Sequence, residues 1–298
     1  MLPYPKTFSE LQKQFPNEDF CRDYLSKLRW PKGVRCPKCR GGLFWLHKNR
    51  PLKECTNCGY QLSLLAGTIF QDTSLPIRTW FQAAWWVTNQ KTGMSALGLQ
   101  RALGLGSYRT AWMLLHKLRV AMVRPKRAPL SGAVEVDEVF LGGINNKQLI
   151  AVAAEIDGQK TGRIRIQKIA NRSTSSLARF IKNNIEKGST IVTDGWNGYG
   201  AIEAEGYKHT PMRKPYFWQD QDPDAAALLP RVHRVASLLK RWYYGTLQGR
   251  IEKKNLNTYL NEFVFRFNRR TSGSRGLLFL RLLENCIQTN PKAYSKLT

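Results

Sequence analysis

Two aspartates carry the clearest chemical signal in the chain. Asp137 lies inside AVEVDEVFLGG (residues 133–143), and Asp194 closes STIVTD just before GWNGY. Both runs are β-branched and strand-like, and each leads into a glycine turn. A carboxylate near the middle of a buried strand is costly unless a cation or a donor meets it. Two carboxylates delivered by two such strands therefore suggest divalent metal held over a phosphodiester. A pair of ions about 3.5–4 Å apart activates an attacking oxygen and stabilises a leaving one. Mg2+ prefers oxygen ligands and keeps several waters, so two or three side chains suffice to hold it. Side-chain alternation on the first strand puts Glu135 and Asp137 on one face, with Val134, Val136 and Glu138 on the other.

A second metal signal stands nearer the N-terminus. CPKC and CTNCGY place Cys36, Cys39, Cys55 and Cys58 at C-x2-C-x15-C-x2-C spacing, within the range of a four-thiolate zinc ribbon. The segment between them has the apolar residues and glycines of a small hairpin, too short to build a core of its own. Bound Zn2+ would replace that core, as a structural ion and not a catalytic one. A thioredoxin-like redox pair would show one C-x-x-C motif, and two are present. His47 reads as exposed, Cys21 as a small buried residue.

The chain has 298 residues, enough for two or three domains, with 47 Lys and Arg against 21 Asp and Glu, a net charge of +26. Such an excess points to a polyanionic partner, nucleic acid first; a ribosome-like or membrane-surface basic protein is the blander alternative. No run approaches a membrane span and MLPYPKTFSE lacks a signal-peptide apolar core. The expected setting is therefore the cytosol, where cysteines bind metal in preference to forming bridges.

The elements that would position these residues follow from periodicity. Phe8, Leu11 and Phe15 mark a short helix, and Phe20, Tyr24 and Leu28 recur at helical spacing in a second. After the ribbon YQLSLLAGTIFQDTSL reads as strand-like, and Pro76 opens a helix whose Trp80, Phe81 and Trp85 read as core. Ser95 is placed to cap a helix through Leu103, GLGS makes a turn, and Tyr108–Met122 forms a second helix with Trp112, Leu115, Leu118 and Met122 inward. Helix, glycine turn, helix is the helix-turn-helix pattern. It leaves Tyr108, Arg109, His116, Lys117 and Arg119 to meet a DNA groove; an ordinary helical hairpin is the alternative. RPKRAPLS (124–131) is a basic, Pro-broken linker. Beyond it come strands at 133–140, 149–156 and 163–170, a helix over 174–187, and a strand at 189–194. That order matches the opening of a ribonuclease-H-like fold, not βαβ alternation. Three domains are expected: 1–72, a helical segment and zinc ribbon; 73–128, helix-turn-helix-like; and 129–298, the catalytic half. The fold class is α+β and multidomain.

VDEVFLGG, VTDGWNGY, HRVASLLKRWYYGT and YLNEFVFRFNRR, together with CPKC…CTNCGY and AGTIF, occur in one order over nearly the whole chain. That order resembles the bacterial insertion-sequence transposases of the DDE superfamily, in the zinc-ribbon-bearing ISXO-like group. The resemblance implies a transposase that binds the terminal inverted repeats of its element and catalyses metal-dependent 3′-end cleavage and strand transfer. It implies structural Zn2+, catalytic Mg2+ or Mn2+ as two ions, double-stranded DNA as partner, and a homodimer or larger complex on DNA. The family's third acidic residue is absent. Lys240 matches the basic residue that follows it, and seven positions earlier stands His233, two turns back on one helix face. His233 is accordingly expected as third metal ligand, with Asp222, Asp224 or Glu252 as alternatives. Lys240, Arg241, Arg269 and Arg270 are expected to contact DNA phosphate, with Arg266 and Arg275 nearby. The rival readings are a non-catalytic DNA-binding regulator and a hydrolytic metal-dependent nuclease.

Overall fold

The computed structural model describes residues 2–46, 52–124, 127–143, 147–212 and 228–292. The chain divides into two compact units, Met1–Pro125 with Ser272–Thr298, and Lys126–Thr271.

In the first unit, Thr7 and Asn17 cap α1 (Phe8–Gln14) and α2 (Glu18–Arg29), their side-chain oxygens accepting first-turn N–H groups. The buried face of α2 is Cys21, Tyr24 and Leu25, whereas Phe20 is exposed. The helix is thus turned away from the expected Phe20–Leu28 edge, because Tyr24 packs edge-on against Phe15 and Phe81, at 5.0 and 6.1 Å. Strands β1 (Phe44–Leu46), β2 (Leu52–Cys55) and β3 (Gln61–Ser63) make a three-stranded antiparallel sheet. The strand expected after the ribbon stops at Ser63, where Oγ accepts the N–H groups of Leu65 and Ala66 and turns the chain. Helix α3 (Ile77–Asn89) buries Trp80, Phe81 and Trp85, as expected. Serine side chains cap α4 (Ala96–Leu103) and α5 (Tyr108–Ala121), with Gly104 left-handed at the end of α4.

The second unit holds a five-stranded sheet in the order β6-β5-β4-β7-β8. Its members are β4 (Ala133–Leu141), β5 (Gln148–Asp157), β6 (Lys160–Lys168), β7 (Thr190–Thr193) and β8 (Lys208–Pro211), with α6 (Thr174–Asn184) between β6 and β7. The first three run antiparallel as a meander; β7 lies parallel to β4, and β8 parallel to β7. This is the ribonuclease-H-like mixed sheet. Helices α7 (Pro230–Leu247) and α8 (Leu256–Phe267) cover one face around Val139, Leu141, Val152, Leu239 and Phe263. Helix α6 covers the other, around Val134, Val136, Ala153, Leu177 and Phe180. The inward residues expected on α8, Leu256, Tyr259, Leu260, Phe263 and Phe267, are all buried.

Helix α9 (Arg275–Gln288) packs on α2, α3 and α5. The sequence reading carries the catalytic half to residue 298, but this helix belongs to the first unit. Its apolar face, including Phe279, meets the aromatic cluster of Phe15, Phe81 and Trp85 there.

Candidate active site and zinc centre

The four cysteines of the ribbon come together. Their sulfurs all lie within 4.8 Å of one another, with Cys36–Cys58 at 3.5 Å and Cys39–Cys55 at 3.4 Å. A tetrahedral ion with Zn–S bonds of about 2.3 Å has S···S edges of about 3.8 Å, so the donor set and its size fit Zn2+. All six cysteines are unbridged. Burial disfavours the Cys36 thiolate, but the N–H groups of Cys39 and Lys38 aimed at its sulfur prevail and bring the thiol down to about 7. Cys21 is buried. His47 lies outside the described residues.

The aspartates are placed by register. On parallel strands β4 and β7, Glu135 pairs with Val192 as the last pair; Asp137 and Asp194 each stand two residues beyond that pair, near enough for the Asp194 charge to act on Asp137. Asp137 is largely enclosed, with its side chain 17% exposed, and its Oδ2 lies 3.4 Å from His233 Nε2. Burial pushes the Asp137 carboxyl above the usual carboxylate range, against the Glu138 N–H that Oδ1 accepts, and the charge of Asp194 adds to the rise. A carboxylate in that position is short of positive charge. Asp194 is exposed beyond the end of β7. Gly195, at φ +78°, lets the chain fold back so that Asp194 Oδ1 accepts the Trp196 N–H. The ligand atoms of Asp137, Asp194 and His233 are not all within 4.8 Å of one another; among the described residues only the cysteine set is that tight. Two carboxylates and one imidazole nonetheless form a donor set suited to Mg2+ or Mn2+.

The expected third ligand and basic residue share the exposed face of α7. His233 and Lys240 are both exposed, while Val232, Leu239 and Tyr243 are buried behind them and Ala236 is half-buried. Among the alternatives, Asp222 and Asp224 lie outside the described residues, and Glu252 pairs with Lys254.

The expected DNA-facing residues divide. Tyr108 and Arg109, in the first turn of α5, are exposed, as are Lys240 and Arg241 on α7. His116 and Arg119 are not available, since each is only 1% exposed. The buried face of α5 is wider than the helix period alone suggests, and Arg119 reaches the Met94 carbonyl while Trp112 stacks on His116. Burial takes His116 down to about 4. Lys117 is half-buried, with Nζ 5.9 Å from the Trp80 ring centre. Arg269 lies over Phe265 and donates to its carbonyl. Arg270 lies over Phe267 and donates to the carbonyls of Phe267 and Thr161, so much of its fork is committed to the fold. Arg275 begins α9, in the other unit.

Around Asp137, Glu135, Arg231, Glu138, Tyr199, Arg172 and Trp196 make contacts that the sequence reading did not assign. Glu135, buried on β4, accepts the N–H groups of Arg231 and Val232 at 2.8 and 2.9 Å and the Arg231 guanidinium at 2.9 Å. It thereby satisfies first-turn donors of α7, where Pro230 has none to offer. Glu138, on the opposite face, accepts the Tyr199 hydroxyl and the Arg172 guanidinium, the latter at 2.7 Å. Arg172 in turn lies over the exposed Trp196 ring, 4.8 Å from its centre. The available signal was Glu135 itself, a carboxylate at an inward position of a buried strand, which needs partners as surely as Asp137 does.

Residues 129–268 match the ISXO2-like transposase domain, and residues 16–61 match the transposase zinc-ribbon domain. The chain thus carries both a transposase domain and a zinc ribbon of the kind found in this group of insertion-sequence transposases. It is similar to an uncharacterised protein of the transposable element ISH50 from Halobacterium salinarum, 22% identical over 217 residues, which cover 65% of this chain and 72% of that protein. Among solved structures it is similar to the catalytic core domain of BIV integrase, with 18% identity, a TM-score of 0.34, and coverage of 50% of this chain and 94% of that one. A chain in the simian T-cell lymphotropic virus intasome bound to the PP2A regulatory subunit B56 gamma is 15% identical at a TM-score of 0.33, over 60% of this chain and 70% of that one. No helix among the described residues is long and apolar enough to cross a membrane.

Proposed function

We propose that this protein is an active DNA transposase that binds the terminal inverted repeats of its own insertion sequence, cleaves the 3′ ends and joins them to target DNA. The observation that carries this reading is the approach of His233 to Asp137, 3.4 Å between Nε2 and Oδ2. Asp194 follows the end of the neighbouring strand β7, near enough for its charge to act on Asp137, and Lys240 lies two turns along from His233. Asp137, Asp194 and His233 would hold the divalent ions. When bound, those ions supply the Lewis acidity that activates an attacking oxygen and steadies a leaving one across phosphorus. Lys240 would hold a phosphate beside the scissile bond, as a point charge on a long stem. No protein nucleophile is needed. Tyr108 and Arg109 on α5, with the ribbon, would grip the repeat. The net charge of +26 matches a polyanionic partner, and joining two ends calls for at least two protomers in the cytosol.

The test is labelled terminal-repeat DNA incubated with the protein, with and without Mg2+ or Mn2+, and scored for nicks and joined products. Metal-dependent nicks and joints, both abolished by Asp137→Ala or Asp194→Ala with binding intact, are the expected result. Binding without cleavage would make the protein a regulator, and nicks without joints a nuclease. Cleavage surviving either substitution would remove the site assignment.

A further inference from the structure

Three acidic residues stand close together on β4, and only Asp137 faces His233. The other two reach, from opposite faces of the sheet, the two elements that bring the remaining ligands. Glu135 holds the first turn of α7 through two backbone N–H groups and the Arg231 side chain, and His233 is the next residue along. The Arg231 guanidinium also donates to the carbonyls of Lys160 and Gly158, which tie the same turn to the β5–β6 hairpin. Glu138 holds Tyr199 and Arg172. Tyr199 ends the helical turn Asn197–Tyr199 that follows Asp194, and Arg172 lies over Trp196 within that loop. Both carboxylates are enclosed, with side chains 2% and 1% exposed. Neither is spent on a surface ion pair of small worth.

We infer that Glu135 and Glu138 are positioning residues: Glu135 sets His233, and Glu138 sets the Asp194 loop, against Asp137. A single strand then fixes all three ligands, one directly and two through its flanking carboxylates. This rests on the three-ligand reading above. The physical reason is rigidity. Asp194 lies past a strand end and His233 in a helix's first turn, places where backbone is least constrained by its own element, and ligand groups bind metal well only when their supports are held.

The test is Mn2+ titration of the full-length, zinc-loaded protein, followed by the loss of the free-Mn2+ paramagnetic resonance signal. Asp137→Asn supplies the background from other sites. Glu135→Gln and Glu138→Gln keep the side-chain shape and remove the charge; Tyr199→Phe and Arg231→Lys perturb the same contacts without touching the strand, should the first pair fold poorly. The melting temperature and terminal-repeat DNA binding are measured for each. Folded, DNA-binding variants with Mn2+ affinity about tenfold or more below wild type, and with nicking partly restored by raised Mn2+, are expected. Wild-type Mn2+ affinity in folded Glu135→Gln and Glu138→Gln, or in Tyr199→Phe and Arg231→Lys if those alone fold, would overturn the inference while leaving the three-ligand reading standing. Wild-type protein binding no more Mn2+ than Asp137→Asn would overturn both.

Discussion

His233 Nε2 stands 3.4 Å from Asp137 Oδ2, bringing the first turn of α7 against the middle of β4. The contact joins the proposed third ligand to a carboxyl that burial raises above its ordinary range. If His233 is the third ligand, His233→Ala lowers terminal-repeat nicking on the order of a hundredfold, the scale of one lost electrostatic contact at a reacting centre. His233→Glu, which returns the missing acid, keeps activity and shifts the preference from Mn2+ toward Mg2+. Nicking assays in both metals decide this, and near-normal activity in His233→Ala would move the ligand to another acid.

The ribbon has three very short strands around four thiols, so its stability is bound up with its metal. Cys36→Ser, or a strong chelator, should release zinc and unfold this segment. Zinc release is read with a chromophoric indicator, and ribbon disorder by proteolysis near residues 36–58. Terminal-repeat binding should weaken while Asp137-dependent Mn2+ binding stays, because the two centres lie in different compact units.

His116 is a pH-sensitive element of the first unit. Burial, aided by the charge of Arg119, lowers it from 6.5 to about 4. The unfolded chain therefore takes up a proton before the folded one does. The buried neutral ring is no liability above pH 6.5, and stability falls as the pH drops from there toward 4, by about 1.36 kcal/mol for each unit between the two values. His116→Gln should flatten that slope. Denaturant midpoints at pH 7.5 and 5 for the two proteins measure it, and parallel slopes would refute it.

Gly198 is packed too closely to accept a side chain. A Cβ there would stand 2.8 Å from Trp196 Cδ1 and 2.9 Å from the Arg172 carbonyl oxygen. Gly198→Ala should displace the Trp196 turn and cost about 1–3 kcal/mol, as overpacking does. Because that turn follows Asp194, nicking should fall more than the melting temperature alone explains. Loss of stability with nicking intact would separate the turn from the site.

Much of this was legible in the chain. Cysteine spacing needs no fold to be read, because each C-x-x-C turn is a local structure that offers two sulfurs. The helix cap Ser95 and the strands around Asp137 and Asp194 were equally local: a capping hydroxyl or a β-branched run acts within a few residues. The DNA-facing list was less reliable. Helical periodicity shows which side of α5 turns inward, but not how wide a face its neighbours cover, and so the period alone puts His116 and Arg119 outside although they lie within. Strand β8, four residues of KHTP, had no pattern strong enough to show, and exists because the edge of β7 was there to pair with.

The sequence by itself determined the four-cysteine set, the order of the strands in the chain and the seven-residue step from His233 to Lys240, since each depends on residue type and local period. Tertiary structure alone decided that β7 lies beside β4 and so brings Asp194 near Asp137, that His233 approaches Asp137, and that Glu135 and Glu138 tie down the elements on either side. It also decided that α9 joins the first unit. Those outcomes depend on strand register and on which buried carboxylate finds which donor. Both are set by pairing between segments far apart in the chain, where no local propensity reaches.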